Sequence, residues 1–359
     1  MKKRIFTILM IFILLAGTGG IIFWLLDKPD VDRYERTDLT VGVDVEVKNI
    51  GNYPAEDIPL RLALPLDDMN HQEVRSITMS QNPTRNSSDS WGNNFIHYQI
   101  EKIEPGESFN INIELEVELT SVDHTMVEVK GMGDIDDSLS KYLLDSSLII
   151  VNHPSIIQLA REIANKSANL VDIAWNSYEW ILDNIYYQQV PGELDSVTTL
   201  RNGEGGSAEF SNLYISLLRA NGIPARRLSG WGNPFRVGET LQLSRFSHGW
   251  VEFHAGELGW VQVDPAWGVT SKFDSFASAD NRHIAMTRGA DVKFMLRGPF
   301  TEPFGDTNVD TDYTITVLDK NIINLSPKRD IIRYGILSLP GIFVIFIFVQ
   351  IVKKRRVSD

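Results

Sequence analysis

Two uncharged apolar stretches, one near each end of the chain, set the first limit on how this sequence can fold. Residues 5–26 and 334–352 contain no Asp, Glu, Lys or Arg, and as helices that rise about 1.5 Å per residue both are long enough to span a bilayer. Basic residues lie on the terminal side of both stretches, at 2–4 and 353–356. Because such residues stay in the cytoplasm, we predict two membrane helices, two cytoplasmic termini, and an extracytoplasmic region at 27–333.

The first apolar stretch has an alternative interpretation as a cleaved signal peptide. Its apolar run is long for a signal peptide, and Ala16, Gly17 and Thr18 form a poor cleavage sequence. The sequence therefore favours an uncleaved anchor, and we expect the protein to contact membrane lipid through both helices.

Composition excludes several functional classes. The 359 residues carry a formal net charge of −13, whereas nucleic-acid binders present basic patches that neutralise phosphate. The chain contains no cysteine, which excludes disulfides, zinc–thiolate sites, iron–sulfur clusters and a thiol nucleophile. We therefore expect no nucleic-acid partner and no cofactor.

The first part of the exterior region, residues 32–130, has the pattern of antiparallel strands. Apolar residues alternate with polar or small ones from Val41 to Val47 and again from Phe109 to Leu119. Several short strands of this kind predict an immunoglobulin-like β-sandwich. No catalytic pattern stands out in it, so we expect a spacer or docking module.

The second part, residues 152–300, has helical patterns followed by strand patterns, which predicts an α+β fold. A helix should begin near Ser207, directly after the glycine-rich residues 203–206. Strands are predicted at 248–254 and 259–264. Helices first and strands after is the order that we expect for this domain.

The last part of the exterior region, residues 301–333, is polar. It contains one alternating run, Tyr313 to Leu318, which predicts a single strand. We expect this part to be a juxtamembrane segment that leads to the second membrane helix.

Three residues of the second part could together perform nucleophilic catalysis. Ser207 would lie at a helix start, where backbone N–H groups and the helix dipole favour an oxyanion. His248 begins one predicted strand and Asp264 ends the next, so antiparallel pairing would bring the two side chains together. A carboxylate there would hold the imidazole in the tautomer needed by a base that faces Ser207. The pattern predicts Ser207 as nucleophile, His248 as general base and Asp264 as the group that orients it.

Three motifs around these residues resemble the transglutaminase-like superfamily. They are Gly206-Ser207-Ala208-Glu209-Phe210 with its continuation to Arg226, Ser247-His248-Gly249-Trp250-Val251-Glu252, and Gly259-Trp260-Val261-Gln262-Val263-Asp264-Pro265. The resemblance covers about residues 152–298, and the motifs stand in the family's order. It implies a papain-like fold, a Cys-His-Asp triad, and acyl transfer or hydrolysis at amide bonds. The β-rich region also resembles, more weakly, a module that precedes this domain in some prokaryotic membrane proteins.

The chain departs from the family at the nucleophile, because Ser207 stands at the position of the cysteine. A thiol beside a histidine at a helix start can be held as a thiolate before substrate arrives, whereas a serine hydroxyl loses its proton only during attack. A site shaped for sulfur would also place oxygen short of the carbonyl carbon, and such misplacement costs on the order of a hundredfold in rate. The resemblance therefore implies the architecture of the site without implying its activity.

Each candidate residue also has a simpler structural interpretation. Ser207 is a good helix N-cap residue, and His248 could be a core histidine satisfied by Asp264. His248, Glu252 and His254 share one face of a strand, which raises a metal site, but such a face is more often solvated. We therefore predict no metal.

The sequence supports three functional hypotheses. The first is a membrane-anchored, extracytoplasmic transglutaminase-like protein, weakly active or inactive, that binds a peptide, a protein or a cell-envelope polymer. The second is an active Ser-His-Asp hydrolase or acyltransferase that acts on amide or ester bonds. The third is a structural module of an envelope assembly, in which case removal of the β-rich region should abolish partner capture and leave the helix-rich domain folded.

Overall fold

The computed structural model describes most of residues 27–333. The residues that it describes are 30–67, 69–125, 136–242, 247–270, 275–289 and 308–325. The predicted membrane helices at 5–26 and 334–352 lie outside these residues. Across the described ranges, no helix is both long enough and apolar enough to cross a membrane.

Strands make up the beginning and the end of the described chain, and helices lie between them. The strands are β1 (Asp30–Asn49), β2 (Ala55–Ala63), β3 (Gln72–Met79), β4 (Arg85–Ser88), β5 (Asn94–Ile103), β6 (Ser108–Thr125), β7 (Tyr186–Tyr187), β8 (Glu204–Gly205), β9 (Ala225–Gly232), β10 (Thr240–Gln242), β11 (Ser247–His254), β12 (Trp260–Val263), β13 (Ser278–Ala279), β14 (His283–Gly289) and β15 (Val309–Asn324). The α-helices are α1 (Pro154–Ala164), α2 (Leu170–Asn184), α3 (Ser196–Asn202), α4 (Ser207–Ala220) and α5 (Pro265–Thr270), and 3₁₀ helices lie at Asp137–Leu143 and Gly256–Leu258.

Two antiparallel sheets, built mostly from the first part of the chain, share one apolar core. The larger sheet has the order β10-β15-β1-β6-β13, with β3 also paired to β6, and the smaller has the order β2-β5-β4. Side chains of a strand alternate between its two faces, so Val41, Val43 and Val45 of β1 all point into this core. Leu60 and Ile96 of the smaller sheet lie in the same core. The antiparallel strands expected from the alternation are therefore present.

The larger sheet takes strands from far along the chain, beyond the predicted limits of 32–130. β15 runs antiparallel to β1 from the pair Glu35–Asn324 onward, β10 pairs with β15, and β13 pairs with β6. The predicted strand Tyr313 to Leu318 lies inside β15, so the segment expected beside the membrane contributes a long strand to this sheet. Alternating apolar residues indicate a strand, but its partner is chosen by tertiary pairing.

The second part has the predicted order of helices followed by strands. Its antiparallel sheet has the order β12-β11-β9-β14 and packs against α4, which α1, α2 and α3 surround. α4 is buried on all its faces, with Phe210, Leu213 and Leu217 in the apolar core. This helix is the centre of an α+β domain, and its first residue, Ser207, is held inside that domain.

Side-chain amides from the first part cover the outer edge of this second sheet, where β14 is the edge strand. The amide of Gln72 donates to the Ala285 carbonyl at 2.9 Å and accepts from the Ala285 N–H at 2.8 Å. The amide of Asn93 makes the same pair of bonds with Arg288, at 2.8 and 2.7 Å. Because an open sheet edge presents unpaired backbone groups, these two amides take the place of a further strand and tie the β-rich part to the α+β domain.

We expect Gln72→Leu to lower the free energy of unfolding by about 2–4 kcal/mol, because the N–H of the buried Ala285 and the carbonyl of the buried Leu66 would lose the Gln72 amide as a partner and each such loss costs about 1–3 kcal/mol. Urea unfolding followed by tryptophan fluorescence measures the change. Gln99→Leu, at an exposed position on β5, is the matched control and should shift stability by less than about 0.5 kcal/mol. Equal stability of the two variants would contradict the role of the amide.

Candidate active site

Ser207 is the first residue of α4, and a nearby carboxylate fixes this helix start. The Glu209 carboxylate accepts hydrogen bonds from the Gly206 N–H at 2.9 Å and from the Leu194 N–H at 3.0 Å. Gly205 has to lack a side chain, because a Cβ there would lie 2.3 Å from the Cβ of Glu209. The N-cap residue is Gly206, so the interpretation of Ser207 as the N-cap is wrong. The buried Ser207 instead lies at the positive end of the helix dipole.

β11 and β12 bring His248 and Asp264 together. The strands pair with Val251 opposite Val263, and Nε2 of His248 donates to Oδ2 of Asp264 at 2.7 Å. The predicted proximity of these two residues is confirmed. The other carboxylate oxygen, Oδ1, accepts from the Trp267 N–H at 3.0 Å at the start of α5. In the neutral ring the proton on Nε2 leaves Nδ1 of His248 with a lone pair, which is what a general base requires.

The nucleophile candidate begins a helix that packs against the strand of His248 and the helix that follows Asp264. α4 packs against β11 and α5, so the helix that begins with Ser207 rests on the strand that carries His248. The catalytic roles of Ser207, His248 and Asp264 stay predictions.

His283 also belongs to the site, although the sequence offers only a weak signal for it. Its Nε2 donates to the same Oδ2 of Asp264 at 3.1 Å, and its Nδ1 donates to Oδ1 of Asp280 at 2.8 Å. Asp280 also accepts from the Arg282 backbone N–H at 2.9 Å and from its Nε at 2.6 Å. The sequence signal is an Asp and a His three residues apart before an apolar strand, and that pattern is too common to single out a site.

Burial and neighbouring charges together set the ionisation of this cluster. Burial acts to lower the pKa of His283, but Asp280 and Asp264 outweigh it and raise the pKa to about 9. Burial acts to raise the pKa of the two carboxyls, but His248 and His283 at Asp264, and His283 with Arg282 at Asp280, hold both well below the ordinary value. At neutral pH the cluster therefore contains two carboxylates and the His283 imidazolium.

Aromatic side chains enclose the two histidines. The ring centroid of His283 lies 4.7 Å from that of Trp250 and 4.3 Å from that of Trp267, and the ring of His248 lies 5.1 Å from Trp267. An imidazolium next to indole rings is favourable, because the faces of the rings carry partial negative charge. Gly232 on the neighbouring strand has to lack a side chain, because a Cβ there would lie 2.9 Å from the Cβ of His248. The site is therefore closely packed around the imidazoles.

The strand face of His248, Glu252 and His254, which suggested a metal site, contains a buried ion pair. The Glu252 carboxylate is buried and accepts from Arg226 at 2.7 and 2.8 Å. The Arg226 guanidinium also lies 4.0 Å over the Trp260 ring. The face of His248, Glu252 and His254 is thus mostly buried, not solvated as expected, and its carboxylate is engaged by an arginine.

A second set of possible metal-binding atoms comes from His248, Asp264 and His283, which lie within 4.8 Å of one another. Two imidazoles and one carboxylate suit several transition metals. Here each Nε2 donates its proton to Asp264, so a cation would have to displace both protons. We assign hydrogen bonds, and no metal, to these three groups.

With this geometry in place, a comparison with protein families identifies the domain. Residues 157–265 match the family model of the transglutaminase-like superfamily. This segment is a transglutaminase-like domain. The match contains Ser207, His248 and Asp264, while His283 lies beyond its end.

Two curated relatives match parts of the chain. The chain is 38% identical over 68 residues to a protein-glutamine gamma-glutamyltransferase of Pseudomonas aeruginosa. The matched stretch covers 18% of this chain and 10% of that protein. It is also 27% identical over 149 residues to the uncharacterized protein YebA of Bacillus subtilis. This match covers 36% of this chain and 20% of that protein. The chain thus spans a small fraction of the length of the relatives that it matches.

A solved structure shares the fold over a larger range. A protein of Cytophaga hutchinsonii, described as a candidate cysteine protease, aligns with 83% of this chain and 93% of its own length, with a TM-score of 0.54 and 14% identity. At this identity the likeness shows the fold alone. The described residues thus combine a papain-like transglutaminase core with antiparallel sheets.

The transglutaminase-like domain should lose stability as the pH rises from about 7 to 9. The pKa of His283 is about 9 when folded, against an ordinary value of 6.5, so the folded state holds an extra proton between these values and stability falls by about 1.4 kcal/mol per pH unit. The titratable groups that face it are Asp264, Asp280, His248 and His71.

Urea unfolding from pH 6 to pH 10 measures this dependence. His283→Gln should be less stable at neutral pH but should lack the decline above pH 7. A wild-type free energy of unfolding that stays constant or increases from pH 7 to 9 would contradict the prediction.

Proposed function

We propose that this protein is a membrane-anchored, extracytoplasmic protein whose transglutaminase-like site binds a peptide, a protein or a cell-envelope polymer and has weak acyl-transfer activity or none. The observation that carries the proposal is the 2.7 Å hydrogen bond between His248 and Asp264, within a domain where Ser207 begins the central helix. In this proposal His248 and Asp264 are the groups that activate the nucleophile, and Ser207 is that nucleophile.

The reaction that this arrangement supports is acyl transfer through an ester on Ser207. The Ser207 oxygen bonds to the amide carbon as His248 takes the hydroxyl proton, and backbone N–H groups at the start of α4 stabilise the oxyanion. The carbon–nitrogen bond then breaks, and His248 gives its proton to the departing amine. Attack by an amine or by water breaks the ester and returns the proton to Ser207. Asp264 keeps the imidazole oriented throughout.

The serine limits the rate of the first step. A hydroxyl is not ionised before substrate arrives, so proton removal and attack have to coincide. Substrate recognition does not depend on that proton. Binding of the polymer would therefore persist even where turnover is slow, and this separates the proposal from an efficient serine hydrolase.

The name of the curated Pseudomonas aeruginosa relative directs the first choice of substrate. That protein is a protein-glutamine gamma-glutamyltransferase, so the side-chain amide of a peptide glutamine is the acyl donor to test here. Placement outside the cytoplasm rests on the two apolar stretches and on their basic flanks at both ends of the chain.

Ser207→Cys should raise turnover of a glutamine peptide about tenfold to a hundredfold above the wild type, because a thiol beside His248 can ionise and reaches further. Release of ammonia and incorporation of a fluorescent amine measure the reaction. Ser207→Ala should abolish residual turnover and leave peptide binding unchanged.

Ser216→Cys is the matched control, because Ser216 is a buried serine on the same helix whose hydroxyl donates to the Asn212 carbonyl. It should react no faster than the wild type. Fast Ser207-dependent turnover in the wild type would favour the efficient serine hydrolase instead. A folded Ser207→Cys protein that binds the peptide without turnover would show that the site only binds.

A further inference from the structure

One carboxylate oxygen of Asp264 accepts hydrogen bonds from two histidines, and the predicted triad accounts for only one of them. Oδ2 of Asp264 accepts from Nε2 of His248 at 2.7 Å and from Nε2 of His283 at 3.1 Å. Asp264 therefore joins two histidines that lie 35 positions apart in the sequence (283 − 248). An oriented base needs one such partner, so the second imidazole calls for an explanation.

The contacts of His283 require both of its ring nitrogens to carry protons. Nε2 faces Asp264 and Nδ1 faces Asp280 at 2.8 Å, and a carboxylate can only accept. A neutral imidazole has one N–H group, so this arrangement needs the imidazolium. His283 is thus a buried cation between the buried carboxylate of Asp264 and the half-buried carboxylate of Asp280.

The backbone and the neighbouring side chains hold this cation in place. His283 begins β14, where it pairs with Gly232 of β9, next to the strand that carries His248. Trp250 and Trp267 lie on its ring at 4.7 and 4.3 Å. These contacts restrict the ring to one position against Asp264.

We propose that His283 is a positioning residue that, with Asp280 behind it, fixes the carboxylate of Asp264 in the orientation that holds Nε2 of His248. The proposal rests on the proposed function, since it assigns a part to a residue outside the predicted triad. The Trp267 N–H holds one oxygen of the carboxylate and His283 holds the other. The carboxylate therefore stays aligned when His248 moves a proton.

Removal of His283 has a defined consequence for His248. Without it, Oδ2 of Asp264 keeps one partner, His248, and no imidazolium separates the carboxylates of Asp264 and Asp280, although Arg282 still pairs with Asp280. The carboxylate of Asp264 could then rotate, and Nε2 of His248 would lose its constant acceptor. We expect His248 to populate both neutral tautomers in place of one.

Nitrogen-15 NMR of labelled histidines in the purified full chain tests this inference without any need for turnover. In the wild type at pH 7, both nitrogens of His283 should be protonated, and His248 should show a single tautomer with its proton on Nε2. His283→Phe should give mixed His248 tautomers, whereas His283→Gln, whose amide can donate to Asp264, should keep the single tautomer.

The control is His124→Phe, because Nδ1 of His124 bonds to the Ala277 carbonyl at 3.2 Å and not to the Asp264 cluster. The spectrum of His248 in this variant should match that of the wild type. An unprotonated nitrogen on wild-type His283, or a single His248 tautomer in folded His283→Phe, would overturn the proposal. The wild-type spectrum decides the first point even where His283→Phe does not fold.

Kinetics in the Ser207→Cys background adds a second readout. His283→Phe should lower kcat about tenfold to a hundredfold with little change in KM, and His283→Gln should recover part of the loss. An unchanged kcat in folded His283→Phe would overturn the positioning role. A folded Ser207→Cys protein that neither binds nor turns over the peptide would count against the proposed function and leave the NMR result as the test of His283.

Discussion

The carboxylate of Asp264 is the contact on which three parts of the site depend. One oxygen accepts from Trp267 at the start of α5, and the other accepts from His248 and His283. Taking a carboxylate out of water costs several kcal/mol unless charge and hydrogen bonds compensate, and here the imidazolium of His283 and three N–H donors do so. The end of β12, the start of α5 and the orientation of His248 therefore depend on one buried anion.

A second dependence joins the β-rich part to the α+β domain. Gln72 and Asn93 complete the edge of β14, and β15 returns from the end of the described chain to pair with β1. Removal of residues 32–130 would leave β14 with an open edge and β15 paired only with the short β10. The expectation that the helix-rich domain stays folded alone disagrees with these hydrogen bonds, so the β-rich part is more than a detachable spacer.

In the function that we propose, serine at the nucleophile position would separate binding from chemistry. The orientation of His248 depends on Asp264 and on the surrounding aromatic rings. None of these contacts depends on whether residue 207 carries an oxygen or a sulfur atom. The activation of the nucleophile does depend on it, because a hydroxyl gives up its proton far less readily than a thiol. The hydrogen-bonded pair of His248 and Asp264 is therefore compatible with the slow turnover that we propose.

The sequence by itself determined the features that arise from short-range patterns. Period-two alternation indicated the strands around Val41–Val47, the glycines at 203–206 indicated the start of α4, and two strands joined by a short turn limited the register enough to pair His248 with Asp264. Tertiary structure alone decided the contact of Gln72 with Ala285, 213 residues away, the pairing of β15 with β1, and the place of His283. Local patterns report which face of an element is buried, but they carry no information about which distant element covers it, and these contacts depend on that choice.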